Sequence, residues 1–377
     1  MISNEVLSRH KVYGVTFNGV SSKGKPLYNA IDQKWIPATP IDPGIDTWKN
    51  LAPFNVKKCI TYYDVSEPSK RKVLAYEDDD NYDSLKTAKT GDRMVEFPMG
   101  YYYRPDPWTF IVSPDPIEGF RPSPACDLGN GNILNGFRLS EFDLCNVSSV
   151  PCSIPGQVPW EQVAAQTLKD ALKVKGQYLE TFGAWCWINF LRIIKQQNLN
   201  SQKANGIGIS SSNTTRTITE DNIQGLDGYI SLETEDHIRT LGLQNFYGNT
   251  HNFLHNVLVQ SASNVWIKKD FINADTWPTS EYDANSKSWK KLSKSLYSYI
   301  SGYITELALD YFDPWALYPS VTNSAYIDTI GGYSISKTND PFSIVAVGGS
   351  SGAFTWISNQ YLTVLGDFGG RSLEIIV

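Results

Sequence analysis

The chain has 377 residues and a formal net charge of −6, and 41% of its side chains are hydrophobic, 13% aromatic and 19% charged. The scarcity of charge excludes a disordered chain, which combines low hydrophobicity with high net charge. The acidic balance also argues against a nucleic-acid-binding protein, because neutralising phosphates takes clustered Lys and Arg. The most basic run, residues 287–294, is interpreted as a solvated helix face.

The first 95 residues alternate short apolar pieces with turn residues. Residues 12–17 and 58–63 are predicted strands, and the Pro- and Gly-rich residues 37–44 between them are predicted loop. Residues 77–83 place acidic and amide side chains at alternate positions, as a calcium loop does. Ser84 and Thr90 stand where an EF-hand needs Gly and Glu, so this segment is interpreted as a solvated acidic loop.

The middle of the chain is predicted to contain strands and then helices. Two strand-like runs within residues 93–113 are joined by Pro-rich turns. Residues 160–173 carry apolar side chains at helical spacing, and residues 182–196 are apolar nearly all round, which predicts a buried helix. A further helix-like run is predicted at residues 289–309. The last 45 residues read as short strands separated by Gly and Ser.

Five cysteines at irregular spacing do not form a disulfide framework. Cys186, between two tryptophans, is interpreted as a small core residue, and Cys145 and Cys152 are close enough in sequence to bridge. The N-terminus lacks the apolar core of a signal peptide, and no stretch has the 18 or so apolar residues of a membrane span. We therefore expect synthesis in a reducing cytoplasm.

Recognised catalytic and metal-binding patterns do not occur in the sequence. His251 and His255 are four residues apart, but a zinc hydrolase needs a third ligand and a Glu base between them. The run Gly349–Ala353 does not match the Gly-x-Ser-x-Gly nucleophile elbow. The sequence predicts a non-enzymatic protein with no cofactor, no catalytic residue and no metal ligand.

Three segments in the second half of the chain resemble a known family. They are residues 243–253, residues 342–354 with a Gly348-Gly349 pair, and residues 366–371 with a Gly369-Gly370-Arg371 run. They resemble C-type-lectin-like domains related to formylglycine-generating enzymes and to the variable proteins of diversity-generating retroelements. Upstream, residues 94–103 and 111–125 are similar to phage tail and baseplate proteins of this class.

The resemblance implies an α+β, C-type-lectin-like fold with two helices and a mostly antiparallel sheet. That domain would occupy residues 93–377, with insertions, after a β-rich attachment region at residues 1–92. The family's oxidases need a cysteine pair in the C-terminal half, where this chain has none, and the calcium-ligating lectin motifs are absent as well. The first departure argues against the family's oxidase chemistry, and the second argues against calcium-dependent sugar binding but leaves sugar recognition by aromatic stacking open.

The predicted site residues fall into two groups. The candidate ligand-binding residues lie between the glycine pairs, where hydroxyl, amide and aromatic side chains typical of binding surfaces alternate; they are Ser350, Ser351, Phe354, Trp356, Ser358, Asn359 and Tyr361. The aromatic members fit equally well as core strand residues. The predicted structural residues give tight turns, close backbone approach and a guanidinium that ties the terminal strands; they are Gly248, Asn249, Gly348, Gly349, Gly369, Gly370 and Arg371.

The function implied is that of a bacteriophage virion protein of the tail, baseplate or fibre. It would be made in the host bacterial cytoplasm and would bind a bacterial surface receptor, protein or glycan, through the C-terminal face. The alternative is a structural virion protein of the baseplate, neck or head, whose N-terminal region docks to other virion proteins. The resemblance also implies a homo-oligomer, for example a trimer, and no nucleic acid or membrane insertion.

Overall fold

A computed structural model describes residues 2–20, 23–28, 48–63, 71–209, 226–232, 235–260, 264–273, 276–294, 296, 301–324, 330–335, 342–349, 353–354, 356–359 and 368–377. Among these described residues, 39% lie in strands and 16% in helices, so this part of the protein is mostly β. The predicted two-helix, lectin-like α+β fold is therefore wrong. Short apolar runs bounded by Gly, Ser and Pro form strands throughout the chain, because β-branched and aromatic residues pack well on pleated surfaces.

The helices in the described residues are α1 (Asn4–Arg9), α2 (Tyr82–Thr87), α3 (Ala165–Val174), α4 (Phe182–Gln196), α5 (Ser201–Asn205) and α6 (Glu281–Ser286). The strands of the first half are β1 (Tyr13–Thr16), β2 (Lys25–Tyr28), β3 (Lys57–Tyr63), β4 (Arg71–Tyr76), β5 (Asp92–Pro98), β6 (Tyr101–Tyr103), β7 (Thr109–Ser113), β8 (Arg121–Pro122), β9 (Gly136–Ser140), β10 (Cys145–Val147), β11 (Val150–Cys152) and β12 (Tyr178–Leu179).

The strands of the second half are β13 (Gly228–Leu232), β14 (Glu235–Thr240), β15 (Leu243–Gln244), β16 (Gly248–Gln260), β17 (Asn264–Ile267), β18 (Lys290–Lys291), β19 (Ser301–Leu307), β20 (Pro319–Asn323), β21 (Gly331–Ile335), β22 (Phe342–Gly349), β23 (Trp356–Asn359), β24 (Phe368–Gly369) and β25 (Ser372–Ile376).

These strands form several sheets. One sheet has the order β2-β1-β7-β6-β8, a second β12-β25-β9-β5-β3-β4, and a third β13-β14-β15. The longest has the order β18-β17-β16-β22-β23-β21-β19-β20, with β24 parallel to β16, and β10 and β11 form a separate hairpin. The C-terminal strand β25 is thus an interior strand, hydrogen-bonded to β12 and β9.

The N-terminal strands belong to the same sheets as later residues. β1 pairs with β7, and β3 pairs with β5. The predicted boundary between residues 92 and 93 falls at the first residue of β5. Strand pairing therefore does not separate residues 1–92 from the rest of the chain.

Helix α4 is the centre of the main core, as its all-round apolar sequence predicts. Every one of its 15 residues is buried. The Thr181 hydroxyl caps its N-terminus by accepting a hydrogen bond from the backbone N–H of Ala184, and Gln197 ends it in a left-handed conformation. Gly183 permits close contact, because a Cβ there would lie 2.2 Å from the Pro124 carbonyl oxygen. The helix contacts β1, β7 and β16.

Of the two other predicted helices, one is confirmed and one is wrong. The helix predicted at residues 160–173 is present as α3, which begins five residues later. The helix predicted at residues 289–309 is wrong, since the described part of that range contains β18 and β19. Gly302 and the β-branched Ile304 and Thr305 disfavour a helix, and β19 finds two hydrogen-bonding neighbours in β20 and β21.

The predicted structural residues occupy constrained positions. Gly248 has φ +81°, and a Cβ there would lie 2.6 Å from the Ile209 backbone nitrogen. Asn249 and Gly348 also have positive φ, and Gly349 pairs with Gly248 across β16 and β22. A Cβ on Gly369 would lie 3.1 Å from the Trp160 carbonyl oxygen, and one on Gly370 would lie 2.6 Å from Leu168 Cδ2.

Candidate functional site: an exposed aromatic cleft

The predicted ligand surface, residues 350–361, does not present its two described aromatic rings to solvent. Phe354 and Trp356 are both 0% exposed. The Trp185 ring of α4 packs edge-on against Phe354 at 5.4 Å and against Trp356 at 6.4 Å between ring centroids. A ligand cannot reach these rings in this structure, so they act as core residues, the alternative that the alternating strand pattern had left open.

The remaining residues of that prediction are only partly described. Ser358 and Asn359 lie in β23, opposite Val345 and Ile344 of β22, and their side chains lie outside the described part of the chain. Ser350, Ser351 and Tyr361 fall outside the described residues altogether. The structure therefore gives no contact surface for this segment.

Two adjacent aromatic side chains that face solvent in the described part of the chain lie elsewhere. Tyr311 is 81% exposed and Phe312 is 60% exposed, and they are consecutive in the loop between β19 and β20. Their rings are perpendicular, with 5.0 Å between the centroids. Adjacent exposed aromatic rings leave apolar area in water, so such a pair marks a candidate contact surface.

A buried arginine fixes this loop to the five-stranded sheet. The Arg104 guanidinium, just after β6, donates to the carbonyl oxygens of Ala308 at 2.7 Å and Pro314 at 3.0 Å, on either side of the aromatic pair. It also donates to the Pro107 carbonyl at 3.2 Å. Complete burial lowers the pKa of Arg104 to about 10, so the group remains charged at neutral pH.

Asp310 sets the conformation inside the loop. Its carboxylate accepts hydrogen bonds from the Ser293 hydroxyl at 2.6 Å and from the backbone N–H groups of Phe312 at 2.9 Å and Asp313 at 3.0 Å. Burial alone would raise the pKa of Asp310, but these donors outweigh it and the pKa is lowered. An aspartate that accepts from backbone two and three residues ahead forms a local turn, which turns the aromatic pair outward.

Two cationic side chains contact Phe312. Arg121 Nη1, on β8, donates to the Phe312 carbonyl oxygen. Lys290 Nζ lies 4.8 Å from the centroid of the Phe312 ring and forms an ion pair with Asp313. A cation over a ring face is attracted by the ring quadrupole, so Phe312 is held from both its backbone and its face.

Between β6, β8 and this loop lies a cleft of about 240 Å³. We call it the aromatic cleft; its walls are Tyr102, Tyr103, Arg104, Pro105, Gly119, Arg121, Leu309, Asp310, Tyr311 and Pro314. The Tyr103 ring also packs against Phe120, with centroids 5.7 Å apart. The cleft thus combines tyrosine faces with the guanidinium of Arg121, a combination suited to stacking and directional hydrogen bonding.

The histidine pair does not form a metal site in the structure. Both residues lie on strand β16, not on a helix. The His251 ring stacks on Phe368 at 5.2 Å, and His255 Nε2 lies 3.2 Å from the Phe271 carbonyl oxygen. Among the described residues, no group of three or more His, Cys, Asp or Glu side chains is arranged to hold a metal ion.

The aromatic cleft lies outside the segment that the sequence predicts as the binding site. Tyr101–Tyr103 belong to a segment that resembles phage tail and baseplate proteins, and the Asp310–Pro314 segment matches no motif. An aspartate followed by two aromatics, a second aspartate and a proline is a turn signal with apolar residues at its centre. Turn residues place this segment at the surface, where two large aromatic side chains are unusual, and this combination is the sequence signal for an exposed aromatic pair.

Comparison with protein-family models and with curated proteins finds no match to this chain. Within the described residues, no helix is both long and apolar enough to cross a membrane.

Proposed function

We propose that this chain is a non-enzymatic bacteriophage virion protein that binds a bacterial surface receptor, and that the aromatic cleft together with the adjacent exposed ring of Phe312 is its contact surface. The observation that carries the binding proposal is the exposure of Tyr311 and Phe312 on a loop held by Arg104 and Asp310. Rings that are fixed before contact lose little conformational entropy on binding. The virion assignment is supported by the order of the sequence segments that resemble phage tail and baseplate proteins.

A glycan is the receptor class that this chemistry favours. The C–H faces of a sugar ring can lie flat against a tyrosine, while its hydroxyls accept from a guanidinium. A nucleic acid would also stack on aromatic rings, but the net charge of −6 opposes binding to phosphate. We therefore expect a neutral surface polysaccharide to occupy the cleft.

The test compares binding of the whole protein to an array of bacterial surface polysaccharides, before and after removal of the two exposed rings. We expect Tyr311→Ala combined with Phe312→Ala to reduce binding at least about tenfold, which corresponds to about 1.4 kcal/mol. Tyr282→Ala is the matched control, because Tyr282 is 84% exposed but lies on α6, away from the cleft. Equal binding by the cleft variant and the control would rule the cleft out as the receptor site.

A structural virion protein is the second candidate, and a specific observation favours it. Val147 and Val150, opposite each other on the β10–β11 hairpin, are both exposed, and so is Val174 at the end of α3. Because α3 contacts β11, these valines belong to one region of the surface. Reduced co-assembly of Val150→Ser with virion particles, with receptor binding intact, would support this candidate.

The homo-oligomer implied by the resemblance, for example a trimer, remains a prediction. Mass measurement of the purified protein in solution tests it, and a monomer at micromolar concentration would contradict it.

A further inference from the structure

The β10–β11 hairpin places two cysteines directly opposite each other. Cys145 pairs with Cys152, Asn146 with Pro151, and Val147 with Val150. Ser148 and Ser149 at the turn both have positive φ, the backbone of a two-residue type I′ turn, which allows only one register for the strands it joins. Cys145 and Cys152, which are close enough in sequence to bridge, are therefore a cross-strand pair in the structure.

The geometry meets the requirement of a disulfide. Directly opposite residues of antiparallel strands have Cα atoms about 4.5–5.5 Å apart, inside the range of about 4.4–6.8 Å found in disulfides. The Cys145 thiol already points across the hairpin, with its Sγ 3.2 Å from the Cys152 carbonyl oxygen. Both residues are free cysteines in this structure.

The two thiols differ in access and in their charged surroundings. Cys145 is buried, whereas Cys152 is partly exposed. Lys175 Nζ lies 3.9 Å from Cys152 Sγ and 2.8 Å from Asp92 Oδ2. Burial raises the pKa of both thiols, and among the charges around Cys152, Lys175 and Arg71 oppose that rise while Asp92 adds to it. Cys152 is therefore the thiol that an external reagent meets first.

We propose that Cys145 and Cys152 form a reversible thiol–disulfide pair that locks the β10–β11 hairpin under oxidising conditions. The oxidant is a small disulfide of the glutathione class. The Cys152 thiolate attacks one sulfur of that disulfide, forming a mixed disulfide and releasing one glutathione thiolate, which takes up a proton. The Cys145 thiolate then attacks the Cys152 sulfur and releases the second glutathione. Two protein thiols are oxidised and one glutathione disulfide is reduced to two thiols.

The other three cysteines do not compete for this reaction. Cys59 and Cys186 are 0% exposed, as is Cys126. Reagents that reach only accessible thiols should therefore leave them unmodified in the folded protein. Unmodified Cys59, Cys126 and Cys186 therefore distinguish oxidation of the hairpin pair in the folded protein from oxidation of unfolded chains, in which all five cysteines react.

The experiment equilibrates the folded, full-length protein in buffers of defined reduced and oxidised glutathione, then alkylates free thiols and digests with trypsin. Both cysteines fall on one tryptic peptide, between Arg138 and Lys169, so a bridge appears as loss of two hydrogens and of both alkyl groups. We expect the pair to be about tenfold easier to oxidise in the folded protein than in urea, because the hairpin raises the effective thiol concentration.

Two variants serve as controls. In the Cys152→Ser variant, Cys145 should be alkylated at every glutathione ratio when the protein is unfolded before alkylation and digestion. The combination of Val150→Cys with Cys152→Ser keeps a thiol on the same strand face but moves it two residues, to the diagonal position about 7–8 Å away. It should bridge poorly. Equal bridging by this variant, or accumulation of the glutathione adduct on Cys152 with Cys145 still alkylated, would overturn the proposal.

Discussion

Arg371 and Asp143 form a fully buried ion pair, with 2.8 Å between Arg371 Nη2 and Asp143 Oδ1. The same guanidinium donates to the backbone carbonyl oxygens of Ser140 at 2.9 Å and Asn245 at 3.1 Å, as well as to that of Gln244. One side chain thus joins the segment before β25 to the end of β9 and to the turn after β15. The sequence predicted that Arg371 ties the terminal strands together; in the structure its carbonyl partners are Ser140 at the end of β9 and Gln244 and Asn245 at the end of β15.

Replacing Arg371 should strongly destabilise the fold. Arg371→Met keeps most of the volume but leaves Asp143 and several carbonyl oxygens buried without their donor, which costs about 3–5 kcal/mol. Urea unfolding followed by tryptophan fluorescence measures this change. Arg9→Met is the control, because Arg9 is exposed and pairs only across one helical turn with Glu5. Similar unfolding midpoints for the two variants would contradict the role assigned to Arg371.

The stability of the protein should fall as pH rises from about 4.3 to about 8. Burial raises the pKa of Glu180 to about 8, with Asp143 adding to the rise and Arg371 opposing it. The folded state then holds a proton that the unfolded chain releases above its ordinary pKa of about 4.3, so rising pH favours unfolding until the folded group also ionises. Glu180 contributes at most about 1.4 kcal/mol per pH unit to this slope.

Glu180→Gln provides the matched test of that pH dependence. Glutamine keeps the size and neutrality of the protonated acid, so the pH slope between about 5 and 8 should flatten. Burial also raises the pKa of Asp143, so that group contributes to the pH dependence with the same sign. Glu5→Gln, at an exposed position, should leave the slope unchanged. A wild-type free energy of unfolding that does not vary over this pH range would refute the prediction.

Replacement by alanine should destabilise the protein much more at Trp356 than at Tyr311. Trp356→Ala removes a fully buried indole from the core around α4, and we expect a loss of about 3–5 kcal/mol in the free energy of unfolding. Tyr311→Ala removes a side chain that is mostly in water, so the loss should stay within about 0.5 kcal/mol. Denaturant titrations of both variants decide the matter. A stable Trp356→Ala protein would show that the 354–356 segment is not core.

Substitution of two glycines by alanine distinguishes the cost of a left-handed backbone from the cost of a steric clash with Cβ. Gly131→Ala places a Cβ in open space at φ +80°, so only the left-handed conformation is penalised, by roughly 1 kcal/mol. Gly248→Ala adds a clash with the Ile209 backbone nitrogen, which no side-chain rotation relieves. We expect its thermal midpoint to fall well below that of the Gly131 variant. Equal midpoints would mean that β16 shifts freely at this point.

The sequence alone predicted the features that depend on local pattern. The run at residues 182–196 is apolar on every face, so any compact fold has to bury it, and α4 has those bounds. Gly248 and Gly348 stand where only a residue without a Cβ fits the backbone comfortably. Arg371, next to the last strand, carries enough donors to join several carbonyls wherever they meet.

The pairing of strands and the choice of which aromatics are exposed were decided by the tertiary structure. Phe354, Trp356, Tyr311 and Phe312 all lie in short segments rich in aromatic residues, and only the turn signal of Asp310 and Pro314 distinguishes the second pair locally. The first two are buried because α4 places Trp185 and Phe182 against them. The last two are exposed because Asp310 turns their loop outward and Arg104 anchors it. Burial is a property of what packs against a residue, which a one-dimensional pattern does not contain.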